Sequence, residues 1–200
     1  MTARHDLSHV MAALARPARH SSDFDLNPEL KLPAARKLRP ASVLVPLTPG
    51  RDGIDVILTK RASHLKHHPG QIAFPGGKRE EGDADAVATA LRESEEEIGL
   101  PPHQVAVLGE LPFHETVTNY QVTPVLGWIE AQFVPVPEAG EVAEVFRVPL
   151  AFLLDLQSYR VERRRWSGVW RQYYAAPYGP YYIWGATARM LKGLADRSVQ

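Results

Sequence analysis

The 200-residue chain contains no cysteine. Disulfide bonds, a thiolate nucleophile and cysteine-ligated metal sites are therefore excluded, and any bound metal must be held by oxygen or imidazole ligands. The chain also has no net charge, because 23 basic side chains balance 23 acidic ones. A chain-wide positive field is excluded, which argues against a nucleic-acid partner held by bulk attraction to phosphate, although a local basic patch would not show in the total.

Long hydrophobic runs are also missing from the N-terminus. The apolar stretch at residues 10–15 is too short for a signal-peptide core or a membrane span. We therefore expect a soluble, cytoplasmic protein with no membrane partner. A mass of 22.3 kDa fits one domain of ordinary size, and a composition of 44% hydrophobic and 23% charged residues is typical of globular proteins. The sequence leaves the oligomeric state open.

Hydrophobic periodicity and turn residues predict a mixed sheet with helices, an α/β fold class. Helices are predicted over residues 5–15, 85–98 and 186–195, with a short one near residues 149–154. Strands are predicted over residues 41–47, 54–60, 105–116, 122–130, 145–148, 159–166, 170–175 and 181–183, the first two forming a hairpin. Residues 22–39 are expected to form an irregular arm. The helix over residues 85–98 is the clearest element, because Gly99 follows it and suits a left-handed C-cap.

Charge sorts into two blocks between residues 60 and 97. Residues 60–79 carry five lysines and arginines and three histidines but no acid, whereas residues 80–97 carry eight acids and a single base, Arg92. This segregation suits a site that holds an anionic substrate together with a cation.

Placing the acidic block on a helix shows which of its side chains share a face. At about 100° per residue, three glutamates share an arc of roughly 100°, and these are Glu93, Glu96 and Glu97. Glu95 points elsewhere. The opposite side carries the stripe that we expect to be buried, formed by Val87, Leu91, Ser94 and Ile98. An isolated acidic run is usually a solvated face, and the alternative is an oxygen-ligand site for Mg²⁺ or Mn²⁺.

A glycine loop ahead of this helix favours the metal site. The loop reads Phe74-Pro75-Gly76-Gly77, and the helix contains Arg92-Glu93-Ser94-Glu95-Glu96-Glu97-Ile98-Gly99-Leu100. Together they resemble the signature of the Nudix hydrolases, with matches at Gly77, Arg92, Glu93, Glu96, Glu97, Gly99 and Leu100. The chain departs from the signature in three ways. Asp83 replaces a glutamate, Ser94 replaces an apolar residue, and the link to Arg92 is one residue longer. The partner of Arg92 is therefore open between Asp83 and Asp85.

A longer stretch narrows the resemblance. Residues 57–77, ILTKRASHLKHHPGQIAFPGG, are similar to the extended signature of the coenzyme A pyrophosphatase branch of the Nudix family, except that Ile57 replaces a leucine and Lys66 an arginine. The resemblance covers about residues 38–195. It implies a Nudix-type α/β/α sandwich around a mixed sheet over residues 38–200, with residues 1–37 as an N-terminal helix and arm packed on that domain.

The resemblance also implies the chemistry. A divalent cation, Mg²⁺ or Mn²⁺, would be held by Glu93, Glu96, Glu97 and the main-chain carbonyl of Gly76, with Arg92 as a further catalytic residue. The substrate would be coenzyme A or a coenzyme A ester, split into phosphopantetheine and adenosine 3′,5′-bisphosphate. Substrate contacts are expected from Arg61, Lys66, Gly70, Gly77 and Arg79. Candidates for the general base are Glu93, Glu141 and Glu144.

Two other functions stay open. The same chemistry could act on ADP-ribose or another nucleoside diphosphate derivative. A Nudix-fold domain could also bind a ligand or RNA without turnover. However, the three glutamates of the signature, called the box glutamates below, are present (Glu93, Glu96 and Glu97), and the neutral net charge argues against RNA as the ligand. A second basic run at Arg160, Arg163, Arg164 and Arg165 is expected to form a solvated strand face, and the aromatic residues around it are expected to be core or interface side chains.

Overall fold

The computed structural model describes residues 3–30, 36–130, 133–166 and 168–199. The helices are α1 (Ala3–Ala15), α2 (Ala86–Ile98), α3 (Leu150–Leu154) and α4 (Ala186–Ser198). The strands are β1 (Ser21–Ser22), β2 (Arg39–Gly50), β3 (Gly53–Arg61), β4 (Ile72–Ala73), β5 (Gly76–Lys78), β6 (Val105–Glu110), β7 (His114–Glu115), β8 (Tyr120–Ile129), β9 (Val142–Pro149), β10 (Arg160–Trp166), β11 (Val169–Tyr178) and β12 (Tyr181–Trp184). In these ranges no helix is long and apolar enough to span a bilayer.

A mixed sheet of nine strands forms the centre of the fold. Strands β2 and β3 pair antiparallel across a tight turn between Gly50 and Gly53, which confirms the predicted hairpin. Strand β8 runs parallel to β2, with Leu44 opposite Val125, and β9 runs antiparallel to β3. Strand β5 pairs with the first half of β2, so it sits beside the centre of the sheet.

Two apolar layers lie on opposite faces of this sheet because side chains alternate along each strand. Leu44 of β2 packs in the layer under α2, together with Ala90 and Ile98. Its neighbour Val45 packs in the other layer, which contains Leu191 of α4. Helices α1, α3 and α4 share that second layer. The predicted α/β/α sandwich is confirmed.

The N-terminal segment contacts the rest of the chain closely. Val10 and Ala13 of α1 are fully buried in the α4 layer. Strand β1 pairs with β7, and the buried His114 ring contacts the Ser21 hydroxyl at 2.9 Å and the Asp23 carboxylate at 3.1 Å. The division of the chain at residue 37 stays a prediction, and residues 31–35 of the expected arm lie outside the described residues.

Several predicted boundaries change in the structure. The strand predicted over residues 105–116 is two strands, β6 and β7, because Pro112 has no amide hydrogen to continue the ladder. Asp85 caps α2 instead of beginning it, and its carboxylate accepts a bond from the Ala88 amide at 2.8 Å. Strands β4 and β5 were not predicted, since glycine and proline dominate their surroundings. Strands β10 to β12 form a separate antiparallel sheet.

Candidate active site

Helix α2 carries the acidic residues, and both of its ends are fixed. Asp85 caps the first turn, and Gly99 adopts φ 68° at the C-terminus, where its amide bonds to the carbonyls of Glu95 and Ser94. That left-handed conformation favours glycine, as predicted. Ser94 is fully buried and donates its hydroxyl to the Ala90 carbonyl at 2.6 Å. A polar residue is therefore accommodated at the apolar signature position.

Glu97 is the buried carboxylate of the site. Only 4% of the residue is exposed, so Glu97 does not lie on a solvated face of the helix, which was one of the two alternatives. Strand β5 covers this end of α2, and the Gly76 amide donates to Oε2 of Glu97 at 3.1 Å. Burial raises the pKa of Glu97 to about 7, against the opposing effects of the Gly76 bond and the Arg61 charge. The helical spacing predicts which residues share a face of α2, but it does not predict which part of the chain packs against that face.

Arg92 joins the acidic residues into one network. Its Nε and Nη2 donate to the two oxygens of Asp83 at 3.0 and 2.9 Å, so Asp83, not Asp85, is its partner. Its Nη1 donates to Glu93 and to Glu96, each at 3.1 Å. The paired guanidinium holds the pKa of Asp83 well below its usual range, and the Asp83 bond raises the pKa of Arg92. Arg92 thus fixes the orientation of two box glutamates at once.

The exposed fractions of the box glutamates differ. The Glu93 side chain is 15% exposed, and burial raises its pKa, opposed by Arg92. The Glu96 side chain is 61% exposed. Gly77 faces the Glu93 carboxylate so closely that a Cβ at this position would overlap it. Glu95 is exposed on another side of the helix, as predicted.

The predicted substrate contacts occupy different positions. Nη1 of Arg61 lies 3.9 Å from Oε1 of Glu97, at the carboxylate centre. The Gly70 amide donates to the Arg61 carbonyl at 3.1 Å, which ties the signature loop to the same strand end. Lys66 is exposed on that loop. Arg79 donates to the backbone carbonyl of Asp83, so the structure shows it bracing the loop before α2. Their roles toward substrate stay predictions.

Glu141 precedes β9 and Glu144 lies within it, and the two acids have different contacts. Oε1 of Glu144 accepts the hydroxyl of Tyr181 at 2.5 Å. Glu141 is exposed, and its charge contributes to raising the pKa of both Glu93 and Glu97. Of these two acids, Glu141 is therefore the one whose charge acts on Glu93 and Glu97.

The donor set suits a hard divalent cation. Glu93, Glu97 and Glu141 repel one another electrostatically, and a cation would relieve that repulsion. All three side chains offer carboxylate oxygens, the donors that Mg²⁺ and Mn²⁺ prefer. Within the described ranges, no three acidic or imidazole side chains already surround one metal position. Glu93 and Glu96 instead face Arg92, so the residues match such a cation in chemistry while the structure shows no closed cage.

Sequence reasoning missed two contacts of the site. Arg61 was predicted to bind substrate, and its contact with Glu97 was not predicted. The carbonyl of Gly76 was predicted to bind the metal, whereas the structure shows that the amide of Gly76 donates to Glu97. The proposed carbonyl ligand stays a prediction. The spacing of the glycine loop was a signal for close approach, but it does not show which backbone group meets the helix.

Comparisons with known proteins point to one family. The NUDIX domain family matches residues 38–167. Two similar proteins are both described as "Uncharacterized Nudix hydrolase NudL". The one from Enterobacter sp. (strain 638) is 43% identical over 161 residues, and the one from Escherichia coli (strain K12) is 44% identical; each match covers 78% of this chain and 81% of the relative.

One solved structure shows the same fold. The crystal structure of a MutT/nudix family protein from Enterococcus faecalis superposes with a TM-score of 0.51 at 15% identity, covering 86% of this chain and 66% of that one. At this identity the likeness concerns the fold alone. The family match over residues 38–167, the relatives above 40% identity and the carboxylate helix behind a glycine loop lead to one conclusion: this chain belongs to the Nudix hydrolase family.

Proposed function

We propose that this protein is a divalent-metal-dependent hydrolase of the diphosphate in coenzyme A or its esters, releasing phosphopantetheine and adenosine 3′,5′-bisphosphate. Hydrolysis of phosphoanhydride bonds is the activity that membership of the Nudix family supports. The choice of coenzyme A as the substrate is more specific than the family supports, and it depends on the signature at residues 57–77. The predicted cytoplasmic location and the absence of a nucleic-acid partner also remain proposals.

The observation that carries the substrate proposal is the position of Arg61. This residue belongs to the extended signature, and its guanidinium lies 3.9 Å from the buried Glu97. Its backbone bonds to both Gly70 and Gln71, at 3.1 and 3.0 Å. The signature is therefore folded directly onto the carboxylate centre, where a diphosphate would lie.

The residues around the carboxylate centre have different proposed roles. A divalent cation, when bound by Glu93, Glu96 and Glu97, would neutralise diphosphate charge and polarise a water. Arg92 positions Glu93 and Glu96, and Arg61 supplies positive charge beside Glu97.

A general base is needed to take a proton from the attacking water. Glu141 is exposed and electrostatically coupled to the site, whereas Glu144 is occupied by the Tyr181 hydroxyl. We assign the base to Glu141, with Glu93 as the alternative.

A substrate panel tests the function. The purified protein with Mg²⁺ or Mn²⁺ is offered coenzyme A, dephospho-coenzyme A, ADP-ribose, NADH and nucleoside triphosphates, and the products are identified by mass. We expect coenzyme A to give phosphopantetheine and adenosine 3′,5′-bisphosphate with the highest kcat/KM. A higher kcat/KM for ADP-ribose would replace the proposed substrate, and no turnover of any compound would favour a binding module.

A further inference from the structure

A groove of about 340 Å³ lies between the signature loop at residues 68–71 and the three-stranded sheet. Four aromatic side chains and one arginine line the side formed by the sheet: Trp166, Tyr173, Tyr182, Trp184 and Arg164. The sequence predicts core or interface positions for three of these aromatics, Trp166, Tyr173 and Trp184. The structure instead turns them toward an open groove, with Tyr182 42% exposed.

The aromatic rings form flat surfaces suited to a planar ligand. The Trp166 and Trp184 rings are nearly parallel, at 12°, with centroids 6.0 Å apart. Tyr173 meets both indoles edge-on, at 5.6 and 5.2 Å, and holds them in place. Aromatic faces of this kind stack with nucleobases.

Positive charge gathers on the same face. Arg164 lies directly opposite Arg171 in the β10–β11 ladder, an arrangement in which like charges repel. In the described part of the chain neither arginine has a carboxylate within ion-pair distance, and Nε of Arg171 is buried without a hydrogen-bond partner. Glu162 on this face lies 3.8 Å from Arg160 instead. Two adjacent, unneutralised guanidinium groups fit an anion, and phosphate matches their geometry best.

The groove also connects to the catalytic centre. Gly70 and Gln71 line it, and both are bonded to the backbone of Arg61, whose side chain reaches Glu97. A ligand with its diphosphate at Glu97 could therefore extend past the loop into the groove.

We propose that this groove binds the adenosine 3′-phosphate end of the substrate, with the base against Trp166 and Trp184 and the 3′-phosphate at Arg164 and Arg171. The assignment rests on the proposed function and deepens it. It places recognition of the 3′-phosphate on the three-stranded sheet and leaves Arg61 to the diphosphate, because Arg61 already lies beside Glu97.

Binding measurements test the assignment without turnover. The full-length protein is titrated with adenosine 3′,5′-bisphosphate and with AMP, which lacks the 3′-phosphate, by calorimetry. We expect the wild type to bind the bisphosphate at least tenfold more tightly. Arg164→Gln should remove about tenfold of that preference, the scale of one charge-assisted hydrogen bond. Trp166→Ala should weaken both ligands about equally.

The opposite face of the same sheet offers matched controls. Arg163 stacks on Trp170 at 5.1 Å, outside the groove. Arg163→Gln and Trp170→Ala should leave both affinities unchanged, and in coenzyme A kinetics only the groove variants should raise KM while kcat stays near that of the wild type.

The outcomes separate the two claims. If the wild type shows this binding pattern but does not hydrolyse coenzyme A, the proposed function is wrong and the groove assignment stands. If coenzyme A is hydrolysed but Arg164→Gln and Arg163→Gln change affinity equally, or the wild type does not prefer the bisphosphate, the groove assignment is overturned.

Discussion

The backbone amide of Gly76 donates to Oε2 of Glu97 at 3.1 Å, across 21 residues of chain. This bond ties the glycine loop to the last turn of α2, and it holds a carboxylate that is almost fully buried. The second oxygen of Glu97 faces Arg61 at 3.9 Å. A buried acid is costly to ionise, and the raised pKa of Glu97 reflects that cost.

The stability of the metal-free protein should therefore depend on pH through Glu97. Because its pKa rises from 4.5 to about 7 on folding, the folded state binds the proton more tightly than the unfolded state. Its contribution to stability is complete below pH 4.5 and is lost as the pH rises through 7. Between pH 5 and pH 8 we expect a loss on the order of 2 kcal/mol in EDTA, measured by urea unfolding.

Glu97→Gln is the control for this pH dependence. The neutral amide should remove that part of the pH dependence, so the variant should be more stable than the wild type at pH 8 in EDTA. Added Mg²⁺ should stabilise the wild type more at pH 8 than at pH 5, since carboxylate ligands must be deprotonated to bind a metal. Parallel stability curves for the wild type and the variant would show that Glu97 is not the group responsible.

Activity should separate Glu97 from Glu95. Glu97→Gln should lower kcat by at least about a hundredfold, the scale of losing a main electrostatic group. Glu95→Gln changes an exposed side chain on another face of the same helix and should leave kcat nearly unchanged. Steady-state kinetics with both folded variants provide the measurement, and equal losses would contradict the assignment of the site.

The two aspartates before α2 should have different roles. Asp83→Asn breaks the two-bond pairing that orients Arg92, so we expect a tenfold to hundredfold loss of metal affinity, about the effect of removing a group that orients a ligand. Asp85→Asn keeps a good helix cap and should change neither metal affinity nor kcat. Metal titrations of both variants distinguish these roles, and a matching loss in Asp85→Asn would contradict the pairing assigned to Arg92.

The sequence and the structure agree where residue types at fixed spacing carry the information. The order of Arg92, Glu93, Glu96 and Glu97 behind a glycine pair predicts carboxylates gathered beside the glycine loop, and the structure brings these residues together. Gly99 predicts the end of the helix, and it is the C-cap in the structure. Burial of Glu97 could not be read in this way, because helical phase assigns residues to faces but does not reveal that β5 covers one of them.

Contacts between residues that are distant in the sequence could not be predicted either. Asp83 and Asp85 both lie just before α2, and the sequence does not show which of them pairs with Arg92. The loop before α2 decides, because it places Asp83 against the guanidinium while Asp85 caps the helix. The groove at Trp166 and Trp184 forms where the three paired strands β10 to β12 lie beside the signature loop, and no local sequence pattern predicts that arrangement.

Removal of divalent cations should abolish hydrolysis. The mutual repulsion of Glu93, Glu97 and Glu141 needs a counter-charge before a diphosphate can approach. We expect no turnover in EDTA and full recovery when excess Mg²⁺ or Mn²⁺ is added, measured as phosphopantetheine release. Unchanged turnover in metal-free buffer would contradict the metal assignment.

The two glycines of the loop should fail in different ways when each is changed to alanine. At Gly76, where φ is 153°, a Cβ would overlap the backbone of Ser42 and Val43, which cannot move without breaking the β2–β5 pairing. Gly76→Ala should therefore lower the melting temperature by several degrees, a shift expected for a loss of a few kcal/mol. At Gly77 the atoms nearest to a Cβ would be the carboxylate end of the Glu93 side chain, which can rotate away. Gly77→Ala should keep the melting temperature within a few degrees of wild type while displacing Glu93 from Arg92, so kcat and metal affinity should fall. Thermal unfolding, kinetics and metal titration of the two variants decide the matter: a Gly77→Ala enzyme with wild-type kcat and metal affinity would show that the position of Glu93 beside the loop is not needed for hydrolysis.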